Sequence, residues 1–332
     1  MSGPSYLITG VAGFIGSNLL EFLLNKKYKV TGIDNFITGH QENLNEVKDS
    51  VQKDLWKNFT FIEGDITESK FCNDITRSCD IVLHQAALGS VPRSIENPRK
   101  TFDINVKGFQ EIIEASRING VKRFIFASSS SVYGDHPELP KIEENVGKVL
   151  SPYALSKKVN ELIAEVYNET YGFNYIGLRY FNVFGKNQDP NGVYAAVIPK
   201  WINSVKNNQS IKINGDGTNS RDFCHINNVV IANYLASRVD NNKALNKIYN
   251  IACGKRTNLL ELSDLIIDKA NLLGSAYDLP KEFQPSRKGD ISHSHADINK
   301  AMSLLNYKPL TFIDDGIEDT VNWFLNKKDE RI

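Results

Sequence analysis

Short apolar runs alternate with stretches of helical periodicity through the first half of the chain. The runs predict six β-strands, near residues 5–9, 28–33, 59–63, 80–86, 122–128 and 174–179. Helical spacing follows the first run, from Ser17 to Leu24. Because strands that alternate with helices build a parallel sheet with helices on both faces, we expect an α/β fold with a doubly wound parallel Rossmann sheet.

One long helix has clear signals at both ends. Ser151 can cap its first turn, Pro152 suits the first helical position, and Gly172 can end it after about Tyr171. This helix places Tyr153 and Lys157 on the same face, since residues four apart are neighbours on a helix.

The pattern changes after residue 180, where turns rich in Gly, Asn and Asp appear at 187–192 and 214–219. A helix over 229–238 and a strand over 248–251 are predicted to return to the sheet. We therefore expect two interleaved domains. Residues 1–181 with 222–252 form the sheet domain, and residues 182–221 with 253–332 form a smaller C-terminal α/β domain.

Composition narrows the functional classes. The chain has 332 residues, 41% of them hydrophobic, and its 39 acidic and 39 basic residues give a formal net charge of zero. No overall field attracts it to nucleic acid or to an anionic membrane. It has neither an 18-residue apolar run nor a basic and then apolar start, so we expect a cytoplasmic protein. The four cysteines form no CxxC pair and the six histidines no recognised ligand spacing, so we expect no metal.

A glycine loop follows the first predicted strand. Gly10, Gly13 and Gly16 stand between this strand and the first helix, where backbone can approach a pyrophosphate and helix N–H groups can bind it. Asp34 ends the second apolar run, eighteen residues after Gly16, where an acid can accept hydrogen bonds from ribose hydroxyls. A carboxylate there would repel a 2′-phosphate, which favours NAD over NADP.

The reacting groups are predicted from Tyr153, Lys157 and Ser129. A hydride leaves a carbinol carbon only when a base takes the hydroxyl proton, and Tyr153 is the candidate base. A cation about 5 Å away, at an effective dielectric constant of about 20, would lower the pKa of a tyrosine by about two units. Lys157 can supply this cation, and Ser129 ends a predicted strand where it can hydrogen-bond the reacting oxygen.

These features together resemble the extended branch of the short-chain dehydrogenase/reductase superfamily over essentially the whole chain. The shared motifs lie at residues 9–16 (TGVAGFIG), 34–35 (DN), 64–66 (GDI), 84–87 (HQAA), 105–108 (NVKG), 129–134 (SSSVYG), 153–157 (YALSK) and 178–183 (LRYFNV). Within that branch the chain is similar to the UDP-hexose 4-epimerases. Residues 86–95 (AALGSVPRSI) and 189–200 (DPNGVYAAVIPK) most resemble bacterial UDP-N-acetylglucosamine 4-epimerases of surface-polysaccharide pathways.

The resemblance implies a tightly held NAD, a transient 4-ketose that rotates within the site about its diphosphate link, and no net oxidation. The cofactor contacts that it implies are Gly10, Gly13, Phe14, Ile15, Gly16, Asp34, Asn35, Asp65, Ile66, Gln85, Ala86, Ala87, Asn105, Tyr153, Lys157, Tyr180 and Val183. The implied substrate contacts are Gly89, Ser90, Arg93, Ser129, Ser130, Asn182, Gln188, Ala196, Val197, Lys200, Ile213, Asn214, Arg221, Arg287, Asp290 and Ser294. The sheet domain would then hold NAD, and the smaller domain the UDP-sugar.

Substrate choice rests on a few positions. In the family, the residue that aligns with Ser294 forms a wall beside C2 of the sugar, and a small residue there leaves room for an N-acetyl group. Arg93 can instead pair with the C6 carboxylate of a uronic sugar, which keeps UDP-N-acetylglucosaminuronate open as the substrate. UDP-glucose is a further alternative.

The family also implies a homodimer through helices near 101–118 and 153–171.

Three rival functions remain at this point. Sugar-nucleotide 4,6-dehydratases and UDP-glucuronate decarboxylases have acidic residues after the serine or threonine at the strand end, where this chain has Ser130 and Ser131. An oxidoreductase with an exchangeable cofactor has no distinct signature in the sequence. A non-catalytic dinucleotide sensor would be expected to lose the Tyr or Lys, and both are intact.

Overall fold

The computed structural model describes residues 3–191, 195–274, 277–285 and 292–326. Its strands are β1 (Tyr6–Thr9), β2 (Val30–Asp34), β3 (Phe59–Glu63), β4 (Ile81–His84), β5 (Arg123–Ser129), β6 (Tyr175–Tyr180), β7 (Val183–Phe184), β8 (Ile211–Asn214), β9 (Ser220–Arg221), β10 (Cys224–His225), β11 (Lys247–Ile251), β12 (Thr257–Asn258) and β13 (Lys281–Gln284).

Helices connect most of these strands. They are α1 (Phe14–Asn25), α2 (Gln41–Ser50), α3 (Lys53–Trp56), α4 (Ser69–Thr76), α5 (Val91–Glu96), α6 (Pro98–Phe102), α7 (Gly108–Ile118), α8 (Pro152–Tyr171), α9 (Val197–Lys206), α10 (Ile226–Arg238), α11 (Leu259–Leu272), α12 (Asn299–Leu305) and α13 (Ile313–Asn326).

The central sheet has seven parallel strands in the order β11-β6-β5-β4-β1-β2-β3. The strand order reverses between β1 and β4, and ligands of such sheets bind outside the carboxyl ends of the strands at this switch point. All six predicted strands and the returning strand β11 are present. The doubly wound parallel sheet predicted from the sequence is thereby confirmed.

Two hydrophobic clusters cover the two faces of the sheet. One joins α1 and α10 to the sheet through residues such as Leu20 and Val230. The other joins α7 and α8 through residues such as Phe109 and Ala164. A third cluster, which includes Trp201 and Leu262, packs α9, α11 and α13 together in the smaller C-terminal part. There β8 pairs with β13 and β9 with β12.

Helix α8 has the ends that the sequence predicts. The Ser151 hydroxyl accepts a hydrogen bond from the Ala154 N–H at 3.1 Å, and Gly172 takes the left-handed conformation at the C-terminal end. The helix expected near 101–118 is interrupted instead. Helix α6 ends at Phe102, a π-helical turn spans Asp103–Lys107, and α7 begins at Gly108.

Within the described part of the chain, no helix is long and apolar enough to cross a membrane.

Candidate active site

The glycine loop between β1 and α1 is shaped by close backbone contacts. Gly10 has a φ of +72°, and a side chain on it would meet the backbone nitrogen of Ala86 at 2.8 Å. A Cβ on Gly16 would lie only 2.0 Å from the carbonyl oxygen of Gly10. Gly13 precedes α1 without a side-chain cap, so the first N–H groups of this helix face the loop. A pyrophosphate fits such a cradle of backbone N–H donors.

Asp34, the last residue of β2, is buried and held by backbone donors. Its carboxylate accepts hydrogen bonds from the N–H groups of Ala12 and Phe36, each at 2.9 Å. Burial raises the pKa of Asp34, and these backbone hydrogen bonds oppose that rise. Asn35 donates to Asp65 at 3.0 Å. The two acids thus have fixed orientations beside the loop, which suits recognition of ribose hydroxyls rather than of a 2′-phosphate.

A cleft of about 320 Å³ extends from the glycine loop along the carboxyl ends of the strands. The predicted cofactor contacts that line it are Gly10, Gly13, Phe14, Ile15, Gly16, Asp34, Asn35, Ile66, Gln85, Ala86 and Ala87. Gly89 and Arg93, predicted as substrate contacts, line this cleft too. It also contains Gly64 and Leu88, which lie in the quoted 64–66 and 86–95 motifs without a predicted contact. Ile33, Ile37, Thr38 and Ile104 line it as well, and the sequence did not indicate them because they resemble ordinary core and loop residues.

The structure brings Tyr153 and Ser129 together at the end of β5. The Ser129 hydroxyl lies close enough to the Tyr153 phenol to act against the rise of its pKa. The Ser129 oxygen also accepts hydrogen bonds from the Ser131 hydroxyl at 2.9 Å and from the Ser131 N–H at 3.2 Å. With two donors already on its oxygen, Ser129 is arranged to donate its own proton toward the phenol.

Lys157 lies one turn after Tyr153 and is 2% exposed. Its ammonium donates to the carbonyl oxygen of Ala127 on β5 at 2.8 Å. Burial lowers the pKa of Lys157 to about 8, and the charge of Glu161 opposes this effect. The sequence predicted that Lys157 lowers the pKa of Tyr153, but the pKa of Tyr153 is raised in this structure. Burial raises the pKa of Tyr153, and the nearby Ser129 hydroxyl is the opposing effect.

Three predicted cofactor contacts are held by other protein groups. Tyr180 donates to Gln85 at 3.1 Å, Gln85 donates to Asn233 at 3.2 Å, and Asn233 donates to Tyr180 at 2.8 Å. Asn105 is 1% exposed and bonds to both backbone groups of Leu88 and to Ser156. These side chains therefore fix the loop after β4, and Asn233 is a member of the site that the sequence did not indicate.

A second pocket, of about 240 Å³, opens in the smaller part of the chain beside β7. Six residues predicted to bind ligand line it, namely Asn182, Val183, Ala196, Val197, Asn214 and Arg221. The lining is completed by five apolar residues, Phe184, Ile198, Trp201, Phe223 and Leu259. The sequence predicted no ligand contact for them because apolar side chains have the pattern of core residues. Apolar walls with a few polar groups and an arginine suit a base and a phosphate.

The remaining predicted substrate residues are more dispersed. Ser90 precedes α5 with a φ of 124°, a strained conformation for a residue other than glycine, and Ser130 begins a short 3₁₀ turn. The Gln188 amide donates to Val183, and its oxygen is buried without a partner among the described residues. Lys200 is exposed on α9, whereas the Ile213 side chain is completely buried, which leaves only its backbone for a ligand.

Ser294, the predicted wall residue, lies in an extended segment along β9, where its N–H donates to the carbonyl of Ser220 at 2.9 Å. Its side chain is half-buried. Arg287 and Asp290 lie outside the described residues.

Comparisons with known proteins agree with this geometry. Residues 6–252 match the model of the NAD dependent epimerase/dehydratase family. A putative UDP-glucose 4-epimerase of Methanocaldococcus jannaschii is 39% identical over 322 residues, covering 96% of this chain and 98% of the relative. A UDP-glucuronate 4-epimerase of Thermodesulfobacterium geofontis is 36% identical, covering 96% of this chain and 95% of the relative.

Among solved structures, a UDP-N-acetylglucosamine 4-epimerase from Methanobrevibacter ruminantium M1 in complex with UDP-N-acetylmuramic acid superposes with a TM-score of 0.87. It is 38% identical and covers 98% of this chain and 99% of its own.

Proposed function

We propose, because the chain belongs to the NAD-dependent epimerase/dehydratase family, that it inverts C4 of a UDP-linked sugar with a retained NAD. NAD is the cofactor of the family, and the glycine cradle, the uncapped start of α1 and the fixed Asp34 carboxylate fit it. The observation that carries the proposal is the placement of Tyr153 beside Ser129, with Lys157 one turn away, at the carboxyl end of β5. This is the same edge of the parallel sheet at which the glycine loop follows β1.

When bound, NAD would supply the acceptor for the C4 hydride of the sugar and the donor for its return to the opposite face of the sugar ring. Tyr153 removes the O4 proton as the carbinol is oxidised and gives it back as the ketone is reduced. Ser129 holds the reacting oxygen through its hydroxyl. The second pocket, with Arg221 and Asn182, binds the UDP part, so that the sugar can turn while the nucleotide stays in place.

For the sugar we propose an N-acetylhexosamine, so that the reaction converts UDP-N-acetylglucosamine to UDP-N-acetylgalactosamine and back. Ser294 supports this choice, because a small side chain at the predicted wall leaves room for the acetamido group. The Gln188 side-chain oxygen, buried without a partner among the described residues, is an acceptor suited to an amide N–H. The similar structure from Methanobrevibacter ruminantium, a UDP-N-acetylglucosamine 4-epimerase, is consistent with it.

A uronic sugar is the second candidate, and Arg93 is the observation that favours it. The relative from Thermodesulfobacterium geofontis is a UDP-glucuronate 4-epimerase, and Arg93 can pair with a C6 carboxylate. Arg93 lines the cleft of the glycine loop and is a single residue in favour of a carboxylate, whereas Ser294 and Gln188 both support an acetamido group. We therefore place the N-acetylhexosamine first.

We further propose that residues 1–181 with 222–252 act as the NAD-binding domain and residues 182–221 with 253–332 as the UDP-sugar domain. The separate hydrophobic cluster around α9, α11 and α13 supports this division.

A cytoplasmic enzyme that supplies surface-polysaccharide precursors fits the proposed substrate, since nucleotide sugars are the donors for such polymers.

The purified protein should carry NAD and should be active without added cofactor. Release of the nucleotide by denaturation, followed by its chromatographic identification, tests this. Dialysed protein that epimerises a UDP-sugar with no NAD added would support a retained cofactor. NADP as the sole nucleotide, or no nucleotide even after reconstitution, would exclude the proposed role of Asp34.

We also propose a homodimer through α7 and α8. Leu155, Leu162 and Val166 form one stripe along α8 and are 41%, 47% and 53% exposed, as expected for an apolar face that a second copy covers. Light scattering at low concentration should give the mass of a dimer, and Leu162→Glu should give that of a monomer. A wild-type protein that is monomeric throughout would refute this assembly.

A further inference from the structure

Two consecutive residues at the end of β5 fix two side chains of α8 that lie one turn apart. The carbonyl oxygen of Ala127 accepts the Lys157 ammonium at 2.8 Å. The hydroxyl of Ser128 donates to the carboxylate of Glu161 at 2.6 Å. Because Lys157 and Glu161 are four residues apart on the helix, the strand holds an ammonium and a carboxylate on the same helix face.

Glu161 is a buried acid with several donors. It is 4% exposed, and Arg179 on β6 donates to its two oxygens through Nε and Nη2, each at 2.8 Å. Lys158 lies 3.6 Å from the same carboxylate at the helix surface. A two-pronged guanidinium contact of this kind fixes the position of a carboxylate.

The surroundings of Lys157 otherwise disfavour a charge. Its ammonium is buried against the sheet, and His84 on β4 faces it as a neutral ring, since burial and the charge of Lys157 lower the pKa of His84 to about 3. On α8 itself, Tyr153 lies one turn before Lys157, and Lys158 and Glu161 are the charged groups next to it. Burial lowers the pKa of Lys157, and the charge of Glu161 acts in the opposite direction.

We propose that Glu161 is a positioning residue that keeps the ammonium of Lys157 charged beside Tyr153. It acts through Lys157 and needs no contact with the sugar or the cofactor. Replacing the carboxylate by an amide removes the attraction and also leaves the positive charge of Arg179 uncompensated nearby. Both effects favour loss of the Lys157 proton. The catalytic use of the Lys157 charge rests on the proposed function. The effect of Glu161 on the Lys157 charge does not.

The first test therefore needs no substrate. Lysine side chains labelled with ¹³C are titrated by heteronuclear NMR, and the Lys157 signal is assigned by its absence in Lys157→Met. The wild-type midpoint is expected at about pH 8. In Glu161→Gln it should fall by roughly one pH unit. Glu165→Gln, which removes an exposed acid from the same helix, is the matched control and should leave the midpoint unchanged.

The second test is the pH dependence of turnover. Activity that needs charged Lys157 declines as the pH rises through the Lys157 pKa. The alkaline limb should therefore move to lower pH in Glu161→Gln and stay in place in Glu165→Gln. A structural role for Glu161 would reduce activity at every pH without moving this limb.

Glu161→Asp keeps the charge but withdraws it by one methylene, so the Lys157 midpoint should fall by less than in Glu161→Gln. If Glu161→Gln does not fold, this smaller fall decides the question. An unchanged Lys157 midpoint in the variant that folds overturns the proposal. The wild-type protein could also epimerise no UDP-sugar while the Lys157 midpoint still falls in Glu161→Gln. That result would refute the proposed function and leave the role of Glu161 standing.

Discussion

Replacing Tyr153 with phenylalanine should reduce turnover by about 10²- to 10⁴-fold, the usual contribution of a general acid-base group. The hydroxyl beside Ser129 is lost, while the ring and its packing remain. Binding of the UDP-sugar should change little, because the hydroxyl matters chiefly as the proton moves. The measurement is kcat beside the Kd of the nucleotide sugar, with the NAD content of each preparation determined.

Tyr171→Phe is the control for this result. It removes a phenolic hydroxyl from the same helix at an exposed position far along the chain from the site. This variant should keep wild-type turnover. An equal loss of binding and turnover in Tyr153→Phe would show that Tyr153 has a structural role instead of a chemical one.

Replacing Ser294 with tyrosine should abolish most activity toward UDP-N-acetylglucosamine while preserving any activity toward UDP-glucose. The ring would occupy the space that the proposed pocket gives to the acetamido group. Overpacking costs about 1 to 3 kcal/mol, which corresponds to a roughly 5- to 150-fold loss, and a clash that cannot relax costs more. The C2 hydroxyl of UDP-glucose needs less room, so the ratio of the two specificity constants should reverse in favour of UDP-glucose.

Ser292→Tyr is the matched control, because it adds the same ring at an exposed position two residues earlier. Its specificity ratio should equal that of the wild type. If the ratio is also unchanged in Ser294→Tyr, Ser294 is not the wall of the sugar pocket. The preference for acetylated sugars would then lose its main support from a single residue.

Local sequence signals predicted the positions of the strands and the polar residues at their carboxyl ends. The glycine loop, Asp34 and the pair of Tyr153 and Lys157 are defined by short spacings, which a strand, a turn or one helix face converts directly into geometry. The six strands follow from apolar runs between turns. Asp34 indeed ends β2, and Ser129 ends β5.

Long-range partners could not be read in the same way. Asn233 meets Gln85 across 148 residues of chain, and nothing in the spacing of either residue indicates the contact. Trp201 and Phe223 line the second pocket, but their apolar side chains have the pattern of core residues. The predicted effect of Lys157 on Tyr153 relied on charge alone, whereas in the folded chain burial of both groups acts against it.

The most direct test of the account is the conversion of UDP-sugars by the dialysed wild-type protein with no added NAD. UDP-N-acetylglucosamine, UDP-N-acetylglucosaminuronate and UDP-glucose are supplied separately, and the products are separated by chromatography. We predict that UDP-N-acetylglucosamine is converted to UDP-N-acetylgalactosamine with the highest specificity constant and with no net oxidation. A higher specificity constant for the uronate would contradict the proposed sugar, and the absence of any epimerised product would contradict the proposed reaction.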